Sequence, residues 1–327
     1  MRTAMPRILP YGDESIREAA AALRAGEPVA FATETVYGLG ARTLDEAAIS
    51  RIYELKGRPS DNPLIAHVLD VPQARTVSGR WDRRSLRAAA KFWPGPLTMI
   101  LPRAAAVPRA ACGGLDTIAV RSPVHPLARC LLYAVNDAIS APSANRSGEV
   151  SPTSAAHVAH DYPDAPGLIV LDGGPCRVGI ESTVIDLCEA KPVVRRLGSV
   201  SIEHLVTALG PVEVDIAHAQ GASPGSARRH YSPRTPSALH ERASLEESVA
   251  RERAAGRRVA AVVLSRLAVE ADHVTALPSD GDACAAALYD ALRRADAAGC
   301  DMIMIERPSR SDGIWAAIQD RLERATA

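Results

Sequence analysis

Lysine is almost missing from this chain. Lys56, Lys91 and Lys191 are the only three, so 35 of the 38 cationic side chains (38 less 3) are arginines. The two cations differ in size, geometry and hydration, and in so arginine-rich a sequence a lysine in a site-like context stands out. An excess of either charge is missing too, since 38 basic residues meet 38 acidic ones. That removes any global electrostatic reason to bind nucleic acid or an anionic membrane, so a charged partner has to be recognised locally. No apolar run approaches the roughly 18 residues that span a bilayer. The opening stretch, MRTAMPRILPYGDESI, has neither the apolar core nor the small-residue cleavage pattern of a secretory leader. The expectation is a cytoplasmic protein without membrane contact.

Other chemistries lack their signatures. The six cysteines, Cys112, Cys130, Cys176, Cys188, Cys284 and Cys300, form no CxxC pair. This argues against a zinc knuckle or a thioredoxin-like motif and leaves them as small buried apolar residues in a reducing cytosol. GxxxxGK[ST] and HExxH do not occur, and GASPG, Gly221 to Gly225, falls in a proline-rich linker with no strand before it to make an elbow, which argues against the P-loop, the hydrolase elbow and the zincin helix. His157 and His160 stand at i, i+3 without a third ligand nearby, so they read as a solvated helix face and no protein-built metal site is expected.

What is present is an ordinary globular composition, 47% hydrophobic and 23% charged, able to build a core. Over the first ~210 residues short β-like runs alternate with amphipathic helical stretches, the pattern of a layered α/β domain. Helices are predicted over Ser15–Ala25, Leu44–Leu55 and Arg83–Phe92. Strands are predicted over Pro28–Phe31, Pro63–Leu69, Leu97–Leu101, Thr117–Val120, Leu168–Leu171, Ser182–Leu187 and Val193–Arg195. From Ala217 to Pro236 the sequence AHAQGASPGSARRHYSPRTP has no acidic residue and reads as a cationic linker. Beyond it the apolar runs Val259–Leu264 and Met302–Ile305 suit buried parallel strands, flanked by helical patterns over Leu245–Ala255, Ala283–Ala298 and Gly313–Ala325. The expected organisation is a catalytic domain over 1–210, a linker or lid over 211–236 and a three-layer α/β domain over 237–327.

Several polar clusters fall at strand exits, where open α/β sheets place ligands. Thr33, Glu34 and Thr35 follow a strand and precede VYGLGA, which lacks the third glycine of a dinucleotide fingerprint and reads as a tight strand-to-helix connection or a phosphate cradle. Lys56-Gly57-Arg58 ends a helix, where two cations either complement its dipole or gather a polyphosphate, the arginine by bidentate contact and the lysine as a point charge. The loop beyond reaches Asn62 and His67. SAPSANRSGEVSPT, Ser140 to Thr153, follows the Leu131–Ile139 segment and offers Ser143 and Asn145 as uncharged donors. Arg121 leaves the apolar strand TIAV, and the glycines of DGGPCRVGIES allow close backbone approach.

In order, TETVYGLG, LKGRPSDNPLIAH, KFWPGPLT, TIAVRSP, APSANRSGEVSPT, GIESTVID and RRHYSP resemble the motifs of the threonylcarbamoyl-AMP synthases, the YrdC-like enzymes of transfer-RNA modification. The resemblance covers almost the whole chain and is to the long, two-domain form. It implies a YrdC-like twisted mixed sheet with flanking helices, joined to a smaller Rossmann-like three-layer C-terminal domain. It implies an L-threonylcarbamoyladenylate synthase, a nucleotidyltransferase that makes threonylcarbamoyl-AMP and pyrophosphate from L-threonine, bicarbonate and ATP. Mg2+ accompanies the triphosphate, and a downstream tRNA threonylcarbamoyl transferase complex takes the product, with weak tRNA contact.

Residue by residue, the resemblance implies Lys56, Arg58, Ser143 and Asn145 for catalysis. It implies Arg58, Asn62, Thr117, Ser143, Ser151, Arg196 and Tyr231 for ATP, with Arg195 open as the alternative to Arg196. Thr35, His67, Arg121, Ala141 through its backbone, and Ser182 fall to threonine. Tyr231 lies in the linker, which is expected to fold over the site as a lid. Two other readings are a double-stranded RNA-binding module, disfavoured by the charge balance, and carbamoyl transfer to another acceptor.

Overall fold

The computed structural model describes residues 5–216, 229–264 and 269–327. Most of the acid-free linker, 217–228, therefore lies outside the described residues. The chain runs β1 (Arg7–Pro10), α1 (Asp13–Arg24), β2 (Val29–Phe31), β3 (Gly38–Arg42), α2 (Glu46–Lys56), β4 (Ile65–His67), α3 (Val71–Val77) and α4 (Arg83–Phe92). It continues through β5 (Leu97–Pro102), β6 (Thr117–Arg121), α5 (Pro126–Val135), β7 (Ile139–Ala141), α6 (Ala155–Asp161), β8 (Ile169–Asp172), β9 (Thr183–Asp186), β10 (Val193–Arg196), α7 (Ile202–Leu209) and β11 (Glu213–Val214). The last part holds β12 (Ser237–His240), α8 (Arg242–Ala254), β13 (Val259–Val263), β14 (His273–Ala276), α9 (Gly281–Ala297), β15 (Met302–Glu306) and α10 (Ile314–Ala325).

Local chemistry sets many of these limits. Asp45 caps α2 by accepting from the Ala48 amide, and Gly57, at φ +62°, ends it in the left-handed conformation that glycine adopts without strain. Asp82 and Ser85 close a reciprocal capping box on α4. Two stretches differ from the sequence expectation. VYGLGA is neither a connection to a helix nor a cradle: Gly38–Arg42 is a strand, antiparallel to β2. A methyl group at Gly40 would lie 2.6 Å from Ile139 and 2.7 Å from Phe31, so the glycine serves close strand packing. Leu131–Ile139 is not one segment, because α5 starts at Pro126 and stops where Asn136 turns left-handed at φ 55°, before β7 begins.

The mixed sheet has the order β1-β8-β2-β3-β7-β4-β6-β5-β9-β10-β11. Side-chain alternation gives it two different faces. Ile118 and Val120 of β6 join Ala66, Met99 and Leu101 in a core covered by α2, α3, α4, α6 and α7. On the other face α1 and α5 cover only the half carrying Phe31, Ile139 and Leu171. Among the described residues the remaining half, where Thr117, Ala119 and Arg121 project beside Ile65 and His67, has no helix of this sheet above it, and its Ile65, His67 and Arg121 line a cavity.

Its roof is His230 and Tyr231, and Tyr231 is backed by Tyr289 of the C-terminal domain. There the four strands are all parallel, ordered β12-β15-β13-β14, with α8 on one face and α9 and α10 on the other. The α9–α10 layer also packs against Val36, Val150 and Ile180 of the larger domain. Half-buried Arg293 of α9 pairs with Asp161 of α6 at 2.6 Å, and Arg234 pairs with Glu149 at 3.1 Å. His157 is not on a solvated face: it is half-buried in this seam, 3.3 Å from Asp290 of α9, while His160 is exposed. Among the described residues no helix is long and apolar enough to cross a membrane.

Candidate active site

The cavity, about 50 Å3, is bordered by loops at the exits of β2, β4, β6 and β7 and by the start of β9. Thr35, Arg58, His67, Arg121, Ala141, Ser143, Ser182, Arg196 and Tyr231, nine of the expected site residues, line it together. Their charges are arranged in two halves.

In the first half Arg121 ends β6, in register with His67 at the end of β4. Its guanidinium donates to the Thr35 hydroxyl at 2.7 Å, to the Glu34 carboxylate at 2.5 Å and to the Gly95 carbonyl at 3.3 Å, which explains why the KFWPGPLT turn lies here. Glu34 is buried, and although burial alone pushes its carboxyl up, the Arg121 charge and hydrogen bond outweigh it and hold it below the usual range. Burial, and next the Arg121 charge, push His67 down to about 3, so its imidazole is neutral at pH 7. Ser182 shares a 2.7 Å hydrogen bond with Thr98.

In the second half Arg58 is clamped on Asn62, donating to its side-chain oxygen at 2.5 Å and to the Pro63 carbonyl at 3.0 Å. Asn62 is thus the holder of the arginine and does not itself line the cavity. Arg196 donates to the Ser182 hydroxyl and carbonyl, each at 3.0 Å. Arg195 points elsewhere, paired with Asp186 at 3.2 Å and Asp215 at 2.9 Å. Burial pushes both Arg58 and Arg196 down, Arg58 to about 10, and each is still charged at neutral pH.

Lys56 is 2% exposed and stands behind the wall. Its ammonium donates to the carbonyls of Ser143, at 2.7 Å, and Asn145. Asn145 spans its own loop by donating to the Arg146 and Glu149 carbonyls, at 2.7 and 2.8 Å. The amide oxygen of Asn145 is buried without a hydrogen-bond partner among the described residues. Thr117 is four residues from Arg121 on the same face of β6, roughly 13 Å away at the usual strand rise. Between them lies an apolar strip of Ile65, Ile100, Ala119 and Val184.

Tyr231 closes the roof. It is fully buried at φ 62°, a conformation costly for a bulky side chain. Its ring stacks on Tyr289 of α9 at 5.6 Å, and its hydroxyl has no partner among the described residues. Sequence reasoning overlooked Glu181 and His230, both in the lining. The signal was adjacency: each sits in a recognised motif next to a chosen residue, Ser182 and Tyr231. Ser151 does not reach the cavity directly, and donates instead to the Glu181 carboxylate at 2.7 Å.

A family model described as "Telomere recombination" matches residues 21–198, and one described as "Threonylcarbamoyl-AMP synthase, C-terminal domain" matches 199–327. The threonylcarbamoyl-AMP synthase of Pyrococcus abyssi is 42% identical over 95% of this chain and 94% of its own length. That of Bacillus subtilis is 40% identical over 97% and 94%. The crystal structure of P. abyssi Sua5 complexed with L-threonine superposes with a TM-score of 0.92 at 39% identity, covering 99% of this chain and 98% of that one. With both parts matched by family models and relatives aligned over most of their length, the chain belongs to the threonylcarbamoyl-AMP synthase family.

Proposed function

We propose that this protein is an L-threonylcarbamoyladenylate synthase, which makes L-threonylcarbamoyl-AMP and pyrophosphate from L-threonine, bicarbonate and ATP for the threonylcarbamoyladenosine modification of tRNA. The observation that carries it is one cavity lined both by two separate cationic groups, Arg121 and the Arg58–Arg196 pair, and by uncharged donors. The first suits an amino-acid carboxylate and the second a triphosphate. Arg121 and the Thr35 hydroxyl receive the threonine carboxylate, with the Ala141 backbone and Ser182 at its sides. The neutral His67 adds no charge that would repel the amine.

The amine nitrogen then attacks the bicarbonate carbon, and water leaves to give a carbamate. A carbamate oxygen attacks the α-phosphorus, the bond from that phosphorus to the bridging oxygen breaks, and pyrophosphate departs. Positioning and charge neutralisation carry most of such a transfer. Arg58, Arg196 and Ser143 meet the phosphates, Lys56 fixes the carbonyls of Ser143 and Asn145, and the apolar strip toward Thr117 suits the base. Magnesium, entering with the triphosphate, supplies charge compensation there. The acceptor oxygen of Asn145 fits a water shell on such an ion better than a carboxylate cage would.

At about 50 Å3 the cavity is far smaller than ATP, so His230 and Tyr231 have to lift for entry and close afterwards, excluding water from a hydrolysable mixed anhydride. The product then passes to a transferase complex that modifies tRNA. Six unpaired cysteines suit a cytoplasmic enzyme. The test is pyrophosphate release from ATP with threonine, bicarbonate or magnesium omitted in turn. Release that persists without threonine or without bicarbonate overturns this reading.

A further inference from the structure

A buried carboxylate is the wrong group to find in the wall of an anion site. Glu181 lies one residue before Ser182, is 7% exposed and lines the cavity that also holds Arg58 and Arg196. Left alone, its charge would repel a triphosphate through a low-dielectric interior, where such repulsion is strong. It is not left alone. Its oxygens accept from the Ser151 hydroxyl at 2.7 Å, from the Tyr289 hydroxyl at 2.7 Å and from the Arg321 guanidinium at 3.0 Å. Only the first donor belongs to the catalytic domain, for Tyr289 sits on α9 and Arg321 on α10.

Arg321 is itself completely buried, which is rare for a cation and tolerable only when it is paired. It also donates to the Leu197 carbonyl at 2.8 Å, beside Arg196, and to Asp320 at 2.6 Å, and lies over the Tyr231 ring at 5.2 Å. One guanidinium thus touches the wall of the cavity, the strand that delivers Arg196 and the aromatic roof.

We infer that Arg321 is a positioning residue for the nucleotide: from the C-terminal domain it cancels the Glu181 charge in the cavity wall and holds Tyr231 over it, so that the C-terminal domain is part of the ATP site. Arg196 is the other cation acting on Glu181. With Arg321 in place the carboxylate is satisfied from the C-terminal domain. Burial would push the Glu181 carboxyl up, but Arg321 and then Arg196 hold it at about 2, so the opposing charge is needed at every physiological pH. This assignment rests on the synthase reading above and adds to it a reason for the second domain.

The test uses the full-length protein and measures ATP binding by calorimetry alongside the KM values of ATP and threonine. In Arg321→Met the uncompensated carboxylate weakens ATP binding and raises its KM on the order of tenfold or more, whereas the KM of threonine, a zwitterion, moves little. Arg321→Lys, which keeps the charge, stays much closer to wild type. Adding Glu181→Gln to Arg321→Met removes the offending charge and recovers most of the lost ATP affinity. A general packing defect would raise both KM values and would not be rescued. Should Arg321→Met fail to fold, the double variant is read alone: near-normal ATP affinity supports the assignment, and affinity still tenfold weaker overturns it. An unchanged ATP affinity in folded Arg321→Met also overturns it. Failure of the synthase reading looks different, because wild-type protein would then show no release dependent on threonine and bicarbonate.

Discussion

Lys56 and Ser143 are joined across 87 residues by one hydrogen bond, the ammonium donating to the Ser143 carbonyl at 2.7 Å. A second bond, to the Asn145 carbonyl, makes the lysine a staple for the whole loop. Replacing it with methionine strands the part-buried Ser143 carbonyl and leaves that of Asn145 with the Tyr162 hydroxyl alone, at a cost of about 1–3 kcal/mol. The loop then shifts, and a displacement near 1 Å at reacting groups lowers turnover on the order of a hundredfold. Lys56→Met is expected to lower kcat far more than it raises either KM, and steady-state kinetics beside a thermal melt check it. Arginine is not expected to rescue, because its planar fork does not fit where a compact ammonium meets two carbonyls.

Arg121 offers separate nitrogens to Thr35 and Glu34. A lysine cannot reproduce both, so Arg121→Lys raises the KM of threonine by roughly ten- to a hundredfold with a small effect on ATP. An unchanged threonine KM removes Arg121 from the carboxylate site.

Tyr231→Ala takes away the ring that covers the cavity and stacks on Tyr289. The variant is expected to need more ATP and to lose product to water, seen as pyrophosphate release outrunning threonylcarbamoyl-AMP recovered by chromatography. Wild-type coupling between the two would end the lid interpretation.

Gly40→Ala places a methyl within 2.6 Å of Ile139 and 2.7 Å of Phe31. The expected loss is about 1–3 kcal/mol of stability, with kinetic constants unchanged below the melting transition. Denaturant titration measures it, and an unshifted midpoint refutes the packing argument.

Acid stability follows from two buried histidines. Burial, first of all, pushes His67 and His230 from 6.5 down to about 3 in the folded chain. Between those values the unfolded chain binds protons that the folded one refuses, so their contribution is complete above pH 6.5 and is lost as pH falls toward 3. Unfolding free energy measured from pH 7.5 to 4 is expected to decline across this range, and less steeply in His67→Gln.

The layer order was legible where alternation was strict. In TIAVR the apolar Ile118 and Val120 mark the core face, which leaves Thr117, Ala119 and Arg121 on the other, the face that became the floor. Motif order also brought out most of the lining residues. What stayed hidden was pairing over long separations. Nothing local to Glu181 announces Arg321, 140 residues away, and nothing near Lys56 shows that its partners are carbonyls, since any residue presents one. VYGLGA misleads because glycine signals a turn in sequence, whereas here Gly40 answers to the bulk of Phe31 and Ile139 across the sheet.

The half-covered face of the large sheet has one more implication. Beneath α1 and α5 the strands meet helices of their own domain, while the Arg121 end of the strip is covered by His230 and Tyr231 across a cavity. On the proposed reading, amino acid and nucleotide would stand over that area, where a third layer of protein would otherwise be. The molecule is then a sandwich missing part of its filling, and its substrates are structural members for as long as they stay. Added together, ATP and threonine are expected to raise the melting temperature and slow proteolysis at the linker by more than the sum of their separate effects.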